Sequence, residues 1–150
     1  MEWERYDIEE GRDDRTFEFC SYGPKGLIRK VIRFQHRPEL GANVYNLSLG
    51  DYEEHTGLID DSIVSNNGDY TKILKSVAWT VDKFVNSYPR AIILIRGSTA
   101  SRSRLYQMGI ASAWPEIKDR YEIWGRRANK WLSFEKGVNY EEFLVVKKIS

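Results

Sequence analysis

The chain has 150 residues, of which 41% are hydrophobic and 13% aromatic. This composition is typical of a folded core, and we expect residues 1–150 to form a single domain. The formal net charge of +1 excludes a strong overall electrostatic field that would attract nucleic acid. No apolar run is long enough to cross a membrane. Cys20 is the only cysteine, so an internal disulfide and a thiolate metal cluster are excluded, and its apolar neighbours predict a buried, inert thiol. These features predict a cytoplasmic protein without a membrane partner.

The first half of the chain is predicted to form an antiparallel sheet. Apolar and polar residues alternate over 16–22 and 27–35, and the turn at 23–26 contains proline and glycine, so these runs predict a β-hairpin. Residues 44–50 are predicted as a third strand and residues 58–64 as a fourth. Together they predict an antiparallel meander.

A helix over residues 69–86 is the clearest periodic element. Its apolar residues recur at the spacing of one helix face, Asp69 is a favourable N-cap, and Pro89 follows the end. Residues 91–95 are apolar without interruption, which is typical of a strand covered on both faces. Because a helix separates this strand from the one at 58–64, we expect the two to pair in parallel.

A second helix is predicted after a turn of small polar residues. We expect it to begin at Ser98 or Thr99 and to end at Gly109, because glycine often adopts the left-handed conformation just beyond a helix. A separate short helical turn is expected around Pro115. The remaining strands are predicted at 121–125, 130–134 and 142–148. The predicted fold class is α+β, in the order β-β-β-β-α-β-α-β-β-β, with a meander that continues into a mixed, curved sheet.

The turn before the first helix is one candidate binding site. Unpaired backbone N–H groups at a helix start attract anions, and Asn66, Asn67 and Gly68 suit an unusual backbone turn. Lys72 follows closely enough in the sequence to reach back toward a bound anion. The alternative is that Asp69 caps the helix and itself supplies the negative charge.

The turn before the second helix is the other candidate site. A helix dipole is positive at its start, yet arginines lie in the first turns, and no acidic residue occurs between Arg90 and Glu116. Arginine forks suit phosphate or carboxylate groups, and nearby hydroxyl groups add donors. The alternative is that Arg102 and Arg104 pair with acids elsewhere in the chain, such as Asp60, Asp61 or the acidic cluster near the N-terminus. The predicted anion-binding residues are Arg96, Ser98, Thr99, Arg102 and Arg104.

The sequence contains no catalytic motif and no metal-ligand spacing. Its charge is uneven, because residues 1–18 carry eight acids against three arginines, whereas residues 90–130 carry nine basic residues against three acids. Aromatic residues between these basic ones are typical of a core or of a stacking surface for single strands. One hypothesis is therefore a non-enzymatic module whose basic face, residues 96–130, binds a partner protein or nucleic acid. An exposed strand edge would favour a homodimer.

The chain as a whole resembles a family of small bacterial proteins to which no function is assigned. The resemblance covers most of the chain and implies no chemistry. The segments that carry it are "FEFCSYGPKGLI", "VYNLSLGD", "TGLIDDSIVSNNGD", "GSTASRSRLYQMGI" and "FEKGVNYEEFLV".

The middle of the chain, residues 27–125, also resembles the GNAT superfamily of N-acyltransferases. The element order is similar, "IVSNNGDYTKIL" occupies the place of that family's pyrophosphate loop, and "STASRSRLYQMGI" is similar to its later helix. The resemblance implies an acyl-CoA-dependent N-acyltransferase that uses CoA or acetyl-CoA, with Tyr106 as the general acid that protonates the departing thiolate. Only Gly68 matches the defining positions of that loop, so the implied cofactor loop is degenerate. The implied cofactor-binding residues are Asn66, Asn67, Gly68, Thr71 and Lys72.

Overall fold

Strands and helices follow one another largely as the sequence patterns predict. The computed structural model describes residues 4–53, 55–60 and 67–148. The fold class is α+β, as predicted, with one additional short strand near the start. The elements are β1 (Glu9–Glu10), β2 (Thr16–Gly23), β3 (Gly26–His36), β4 (Val44–Glu53), β5 (Leu58–Asp60), α1 (Tyr70–Ser87), β6 (Ile92–Ile95), α2 (Ala100–Ile117), β7 (Tyr121–Arg127), β8 (Lys130–Ser133) and β9 (Glu142–Lys147).

The strands of the described ranges form one mixed sheet. Its order is β1-β2-β3-β4-β6-β9-β7-β8, and β5 lies beside β4. β2 and β3 form the predicted antiparallel hairpin, in which Gly23 lies opposite Gly26 across the turn. Gly26 has a φ of 84°, a left-handed conformation that glycine adopts without strain. Local turn chemistry therefore sets the register of this hairpin.

The pairing of β6 differs from the prediction. β6 is parallel to β4, with Val44 opposite Ile92, and antiparallel to β9 on its other side. The predicted parallel partner at 58–64 is wrong for its described part, because β5 pairs antiparallel with the end of β4, where Asp51 lies opposite Asp60. Residues 61–64 of that predicted strand lie outside the described residues. β6 and β5 thus pair with the same edge of β4, β6 at the start of the strand and β5 at its end.

α1 confirms the predicted helix over 69–86 to within one residue at each end. Phe84 of α1 stacks on Phe34 of β3, with the ring centroids 4.2 Å apart, and this contact anchors the helix over the hairpin. The buried residues of α1 recur at helical spacing and are Ile73, Ser76, Val77, Thr80, Val81, Phe84 and Val85.

α2 is longer than predicted. It continues through Gly109 to Ile117 and includes Pro115, so the predicted end at Gly109 and the separate turn around Pro115 are both wrong. Gly109 serves a helix contact instead, because a Cβ added there would lie 3.1 Å from Leu74 of α1. Pro115 lies in the last turn of the helix, where it removes the single hydrogen bond to the Ala111 carbonyl and few helical residues follow.

One face of the sheet carries both helices. Side chains alternate along each strand, and the positions that are buried with α1 and α2 include Phe19, Leu47, Ile93 and Val145. Cys20 follows Phe19 on the opposite face and is exposed, so the predicted burial of its thiol is wrong. Neither of the two helices in the described ranges is long and apolar enough to span a membrane.

Candidate functional site

A cleft opens where β4 changes partner. β4 pairs with β6 through Val44–Leu47 and with β5 through Asp51–Glu53, and the residues between these stretches border the cleft. The cleft has a volume of about 230 Å³. Its lining residues come from β4, from the turn after β6 and from α2: Asn46, Leu47, Ser48, Leu49, Arg96, Gly97, Ser98, Arg102 and Tyr106.

The turn before α2 holds the helix start tightly against β6. The side chain of Thr99 accepts a hydrogen bond of 3.2 Å from the backbone N–H of Arg102, as expected of an N-cap. The Gly97 N–H donates to Ser103 Oγ at 3.0 Å. A Cβ at Gly97 would lie 2.2 Å from the Ser103 nitrogen, so only glycine fits at this position. This close contact places the first turn of α2 at the cleft.

Arg102 carries a buried positive charge into the cleft. Its side chain is only 6% exposed, and its Nη1 donates a hydrogen bond to the backbone carbonyl of Leu49. Arg96 lies at the outer rim, 66% exposed, with its Nη1 3.7 Å from a carboxylate oxygen of Glu142. The cleft is therefore polar and cationic at the side that these arginines line.

The five predicted anion-binding residues are only partly brought together. Arg96, Ser98 and Arg102 line the cleft. Thr99 instead caps α2. Arg104 is exposed and is not among the lining residues of the cleft. The fold thus selects which side chains of this turn share a space, and anion binding there stays a prediction.

Tyr106 lies between the cleft and a second, larger space. Its side chain is 7% exposed and lines both the cleft and a cavity of about 440 Å³ between α1 and α2, which we call the interhelical cavity. The floor of this cavity is formed by apolar residues of the sheet, including Ile95, Ile123 and Val145. The sequence alone did not indicate this cavity, although the small residues Gly109 and Ala113 on α2 are a signal that could have suggested it.

A polar network lies at one end of the interhelical cavity. The carboxylate of Asp82 in α1 accepts hydrogen bonds from the Tyr121 hydroxyl group and from Arg120. Burial, together with the hydrogen bond to Asp82, raises the pKa of Tyr121 well above its ordinary value. Sequence reasoning missed these residues, because they lie about forty positions apart and no spacing rule connects them.

The turn before α1 is occupied by internal contacts. The Asn67 side chain is 1% exposed and accepts a hydrogen bond from Lys25 N at 2.7 Å, while its amide group donates to Ser21 Oγ at 3.2 Å and to the Gly26 carbonyl at 2.9 Å. Gly68 has a φ of 76°, consistent with the unusual turn expected there. These contacts connect the turn to the β2–β3 hairpin.

Asp69 occupies the N-cap position, but its side chain makes no capping hydrogen bond. Instead its carboxylate accepts hydrogen bonds from the hydroxyl groups of Tyr6 and Ser21, so the expectation of a self-capped helix is wrong in its contacts. The negative charge still lies at the positive end of the helix dipole. Burial, followed by the hydrogen bond to Asp69, raises the pKa of Tyr6.

The other residues of the implied cofactor loop lie apart from one another. The Lys72 ammonium group lies over the Tyr6 ring, 4.4 Å from the ring centroid. Thr71 is exposed and lines the interhelical cavity. Asn66 lies outside the described residues. Among the residues that are described, no three His, Cys, Asp or Glu side chains cluster as metal ligands.

Comparison with known families places this chain. The family model described as "Family of unknown function (DUF6934)" matches residues 2–148. The chain belongs to this family. No curated protein and no solved structure matches it. Membership in DUF6934 names no reaction, so the geometry of the site is what indicates a function.

In this DUF6934 chain the basic region is partly neutralised by acids from distant segments. Arg126 forms ion pairs with Glu141 and Glu142, and Arg120 pairs with Asp82. Glu141 and Glu142 lie outside the basic segment 90–130. The proposed basic face is therefore less cationic than its sequence suggests, and its role in binding stays a prediction.

Proposed function

We propose that the protein is an N-acyltransferase that takes its acyl group from a thioester donor such as acyl-CoA. The position of Tyr106 carries this proposal, because its side chain borders both the cleft and the interhelical cavity. A thioester held where these two spaces join would have its sulfur atom beside this tyrosine, and the amine would approach through the open side of the cleft. A tyrosine hydroxyl group is a suitable general acid for a departing thiolate.

The change of partner along β4 supports the same proposal. Ser48, Leu49 and Gly50 lie between the stretch paired with β6 and the stretch paired with β5. Such a stretch is a strand edge inside the fold. Its Leu49 carbonyl accepts a hydrogen bond from Arg102, so an extended ligand that contains amide groups would pair with the backbone groups that remain on this edge. The pantetheine arm of coenzyme A is a ligand of this kind.

In the proposed reaction the amine nitrogen attacks the thioester carbonyl carbon, so that a C–N bond forms and the C–S bond breaks. Tyr106 gives its phenol proton to the departing thiolate, and the proton lost by the amine returns to the phenolate through solvent. The buried guanidinium group of Arg102 places a positive charge beside the oxygen on which negative charge develops.

The turn before α1 fits the phosphate groups of coenzyme A poorly. The carboxylate of Asp69 lies at the helix start, and its Oδ1 is buried without a hydrogen-bond partner among the described residues. A second negative group at this position would be repelled. We therefore assign only the thioester end of the donor to the cleft, and no phosphate contact to this turn.

A thermal-shift titration with CoA and acetyl-CoA tests the proposal. A ligand at a hundred times its dissociation constant stabilises by about 2.7 kcal/mol, which corresponds to an increase in Tm of about 5–10 °C for a domain of this size. We expect Ser98→Trp, which places a large ring on the lining of the cleft, to abolish the shift. Ser101→Trp is the matched control, because Ser101 is exposed, belongs to the same helix start and lines neither space.

Two results would contradict acyl transfer. One is an equal shift in the wild type and in Ser98→Trp. The other is a shift that appears with ADP, sulfate or a short oligonucleotide but not with CoA or acetyl-CoA. A response to the oligonucleotide that weakens steeply with salt would instead support the basic face, residues 96–130, as the functional surface.

A further inference from the structure

The interhelical cavity has the character of a lipid site: we propose that it binds a linear aliphatic chain, the hydrocarbon part of a fatty acid or fatty acyl group. This proposal stands on the cavity itself and does not depend on catalysis. If the protein transfers acyl groups, this proposal identifies a fatty acyl group as the group that is transferred.

Small residues line the cavity on both helices. α1 and α2 approach closely at Leu74 and Gly109, where an added Cβ would lie 3.1 Å from the leucine side chain. Ala78 on α1 and Ala113 on α2 also line the cavity, and their short side chains leave the space between the helices open. The result is a concave, mainly apolar space of about 440 Å³ with one open side, which is typical of a site for a small ligand.

The chemistry of the walls selects a hydrocarbon. Most of the lining is apolar, with Leu74, Val77, Val81, Leu105 and Ile110 from the helices above apolar residues of the sheet, and polar side chains such as Lys75, Asp82 and Glu116 are a minority. A ligand with several amide or hydroxyl groups would lose more hydrogen bonds to water than this lining replaces. A saturated chain has no hydrogen bonds to lose and gains the free energy of burying apolar surface.

The shape of the cavity selects a long and narrow ligand. The lining residues of α1 run from Tyr70 to Asp82, which corresponds to about 18 Å along the helix axis at 1.5 Å per residue. The exposed lining residues Thr71, Met108 and Ser112 form its open side. A chain lying along the two helices fills such a groove better than a compact ring system does.

The two ends of the cavity differ, and the difference orients the chain. At Tyr106 the cavity meets the cleft, in which Arg96 and Arg102 supply positive charge for a carboxylate or a thioester oxygen. At the other end, Asp82 and Tyr121 are hydrogen-bonded to each other and close the space with a satisfied polar pair. The head group therefore lies at the cleft and the methyl end near Asp82.

The test is a binding titration with butanoate, octanoate and dodecanoate, each kept below its micelle concentration and followed by calorimetry. We expect the affinity to increase about fourfold for each added methylene group until the cavity is filled. Ser112→Trp, a large residue at the exposed side of the cavity, should remove this dependence on length. Ser101→Trp, the same change on the same helix away from the cavity, should keep it.

Ala78→Phe provides a second variant that fills the cavity from the other helix, and the Tm without ligand shows whether each variant is folded. Equal affinities across the three acids, or an unchanged length dependence in both folded cavity variants, would overturn the proposal. Dodecanoate binding to Arg102→Met as tightly as to the wild type would overturn the orientation toward the arginines.

Thioester donors separate this proposal from acyl transfer. Binding of dodecanoate without any binding of CoA or acetyl-CoA would support the chain site and count against the proposed function. Equal binding of acetyl-CoA and dodecanoyl-CoA would support the proposed function and overturn the chain site. Dodecanoyl-CoA binding tightly while free dodecanoate does not would support the chain site with a thioester as its source.

Discussion

The two strand–turn–helix junctions of this protein look alike in sequence and differ in structure. Both were candidates for anion binding, because each joins a strand to a helix start through small polar residues. At the turn before α1, Asn67 and Asp69 are held by contacts within the protein. At the turn before α2, Arg96 and Arg102 line an open cleft. A junction can bind a ligand only if the fold leaves its polar side chains facing a space.

The largest effects are expected from glycines that hold each junction in place. A Cβ at Gly23 would lie 1.9 Å from the Asn67 carbonyl oxygen, and a Cβ at Gly97 would lie 2.2 Å from the Ser103 nitrogen. We expect Gly23→Ala and Gly97→Ala each to destabilise the fold by about 3 kcal/mol, because backbone atoms must move. Urea unfolding measures this loss.

Gly137→Asn is the control for these two variants. Gly137 has a φ of 82°, which asparagine tolerates, and an added Cβ there meets no atom within 4 Å. If Gly97→Ala were as stable as this control, the close contact between the turn and the first turn of α2 would not be needed for the fold.

The next largest effect is expected at Asn67 in the turn before α1. Its substitution tests whether this turn is structural, in contrast to the turn at the cleft. Asn67→Ala removes three buried hydrogen bonds and leaves their partners unsatisfied, so a loss of about 2–3 kcal/mol is expected in urea unfolding. Ligand affinity measured on the remaining folded protein should not change. A weakened affinity for CoA in this variant would instead favour a binding role for the turn before α1.

A smaller loss of stability, accompanied by a loss of binding, is expected at Arg102. Arg102→Met keeps much of the apolar stem but removes the hydrogen bond to the Leu49 carbonyl, and we expect a loss of about 1–2 kcal/mol. The thermal shift with acyl donors should also disappear. Arg104→Met is the matched control, because Arg104 is exposed and lies about half a turn further along α2. The stability of this variant should change by less than about 0.5 kcal/mol.

The smallest effect concerns pH at the turn before α1. The pKa of Tyr6 is raised in the folded protein, by burial first and by Asp69 second. A raised pKa stabilises the folded state below the unfolded value of about 10, and this contribution is lost as the pH rises through the folded value. We expect Tyr6→Phe to lower stability at neutral pH by less than about 1 kcal/mol and to reduce the alkaline loss.

Unfolding midpoints of both proteins between neutral and alkaline pH measure this difference. Parallel curves for the wild type and Tyr6→Phe would show that the phenol group does not couple to the turn. Arg102→Met should leave the alkaline slope unchanged, because its junction does not include Tyr6.

Much of the fold was predictable because its signals are local. The hairpin of β2 and β3 depends on alternation and on the glycines of one turn, and α1 depends on a regular apolar face. The end of α2 was not predictable from Gly109, because this glycine marks a close approach to Leu74 and not a helix terminus. A glycine can therefore mark either a helix end or a close contact between helices, and only a contact with a residue distant in sequence distinguishes the two.

The candidate site was predictable in its segments but not in its composition. The turn from Arg96 to Arg102 was indicated by its charge and small residues, and Tyr106 by its resemblance to a family helix. The pair of Asp82 and Tyr121 had no local signal, and the interhelical cavity had only the small residues Gly109 and Ala113 on α2. Their residues come from separate elements, and their arrangement depends on how the helices lie on the sheet.

Local patterns were enough to predict the α+β class, the hairpin, the first helix and the positions of the remaining strands, since periodicity and turn chemistry act over a few residues. Long-range packing sets the rest: β6 pairs with β4, β5 pairs with the end of the same edge, and a cleft opens beside β4. This packing also places Tyr106 between two spaces. The physical reason is that strand pairing and helix packing join residues far apart in the chain, and their outcome depends on the burial and hydrogen bonding of the whole sheet.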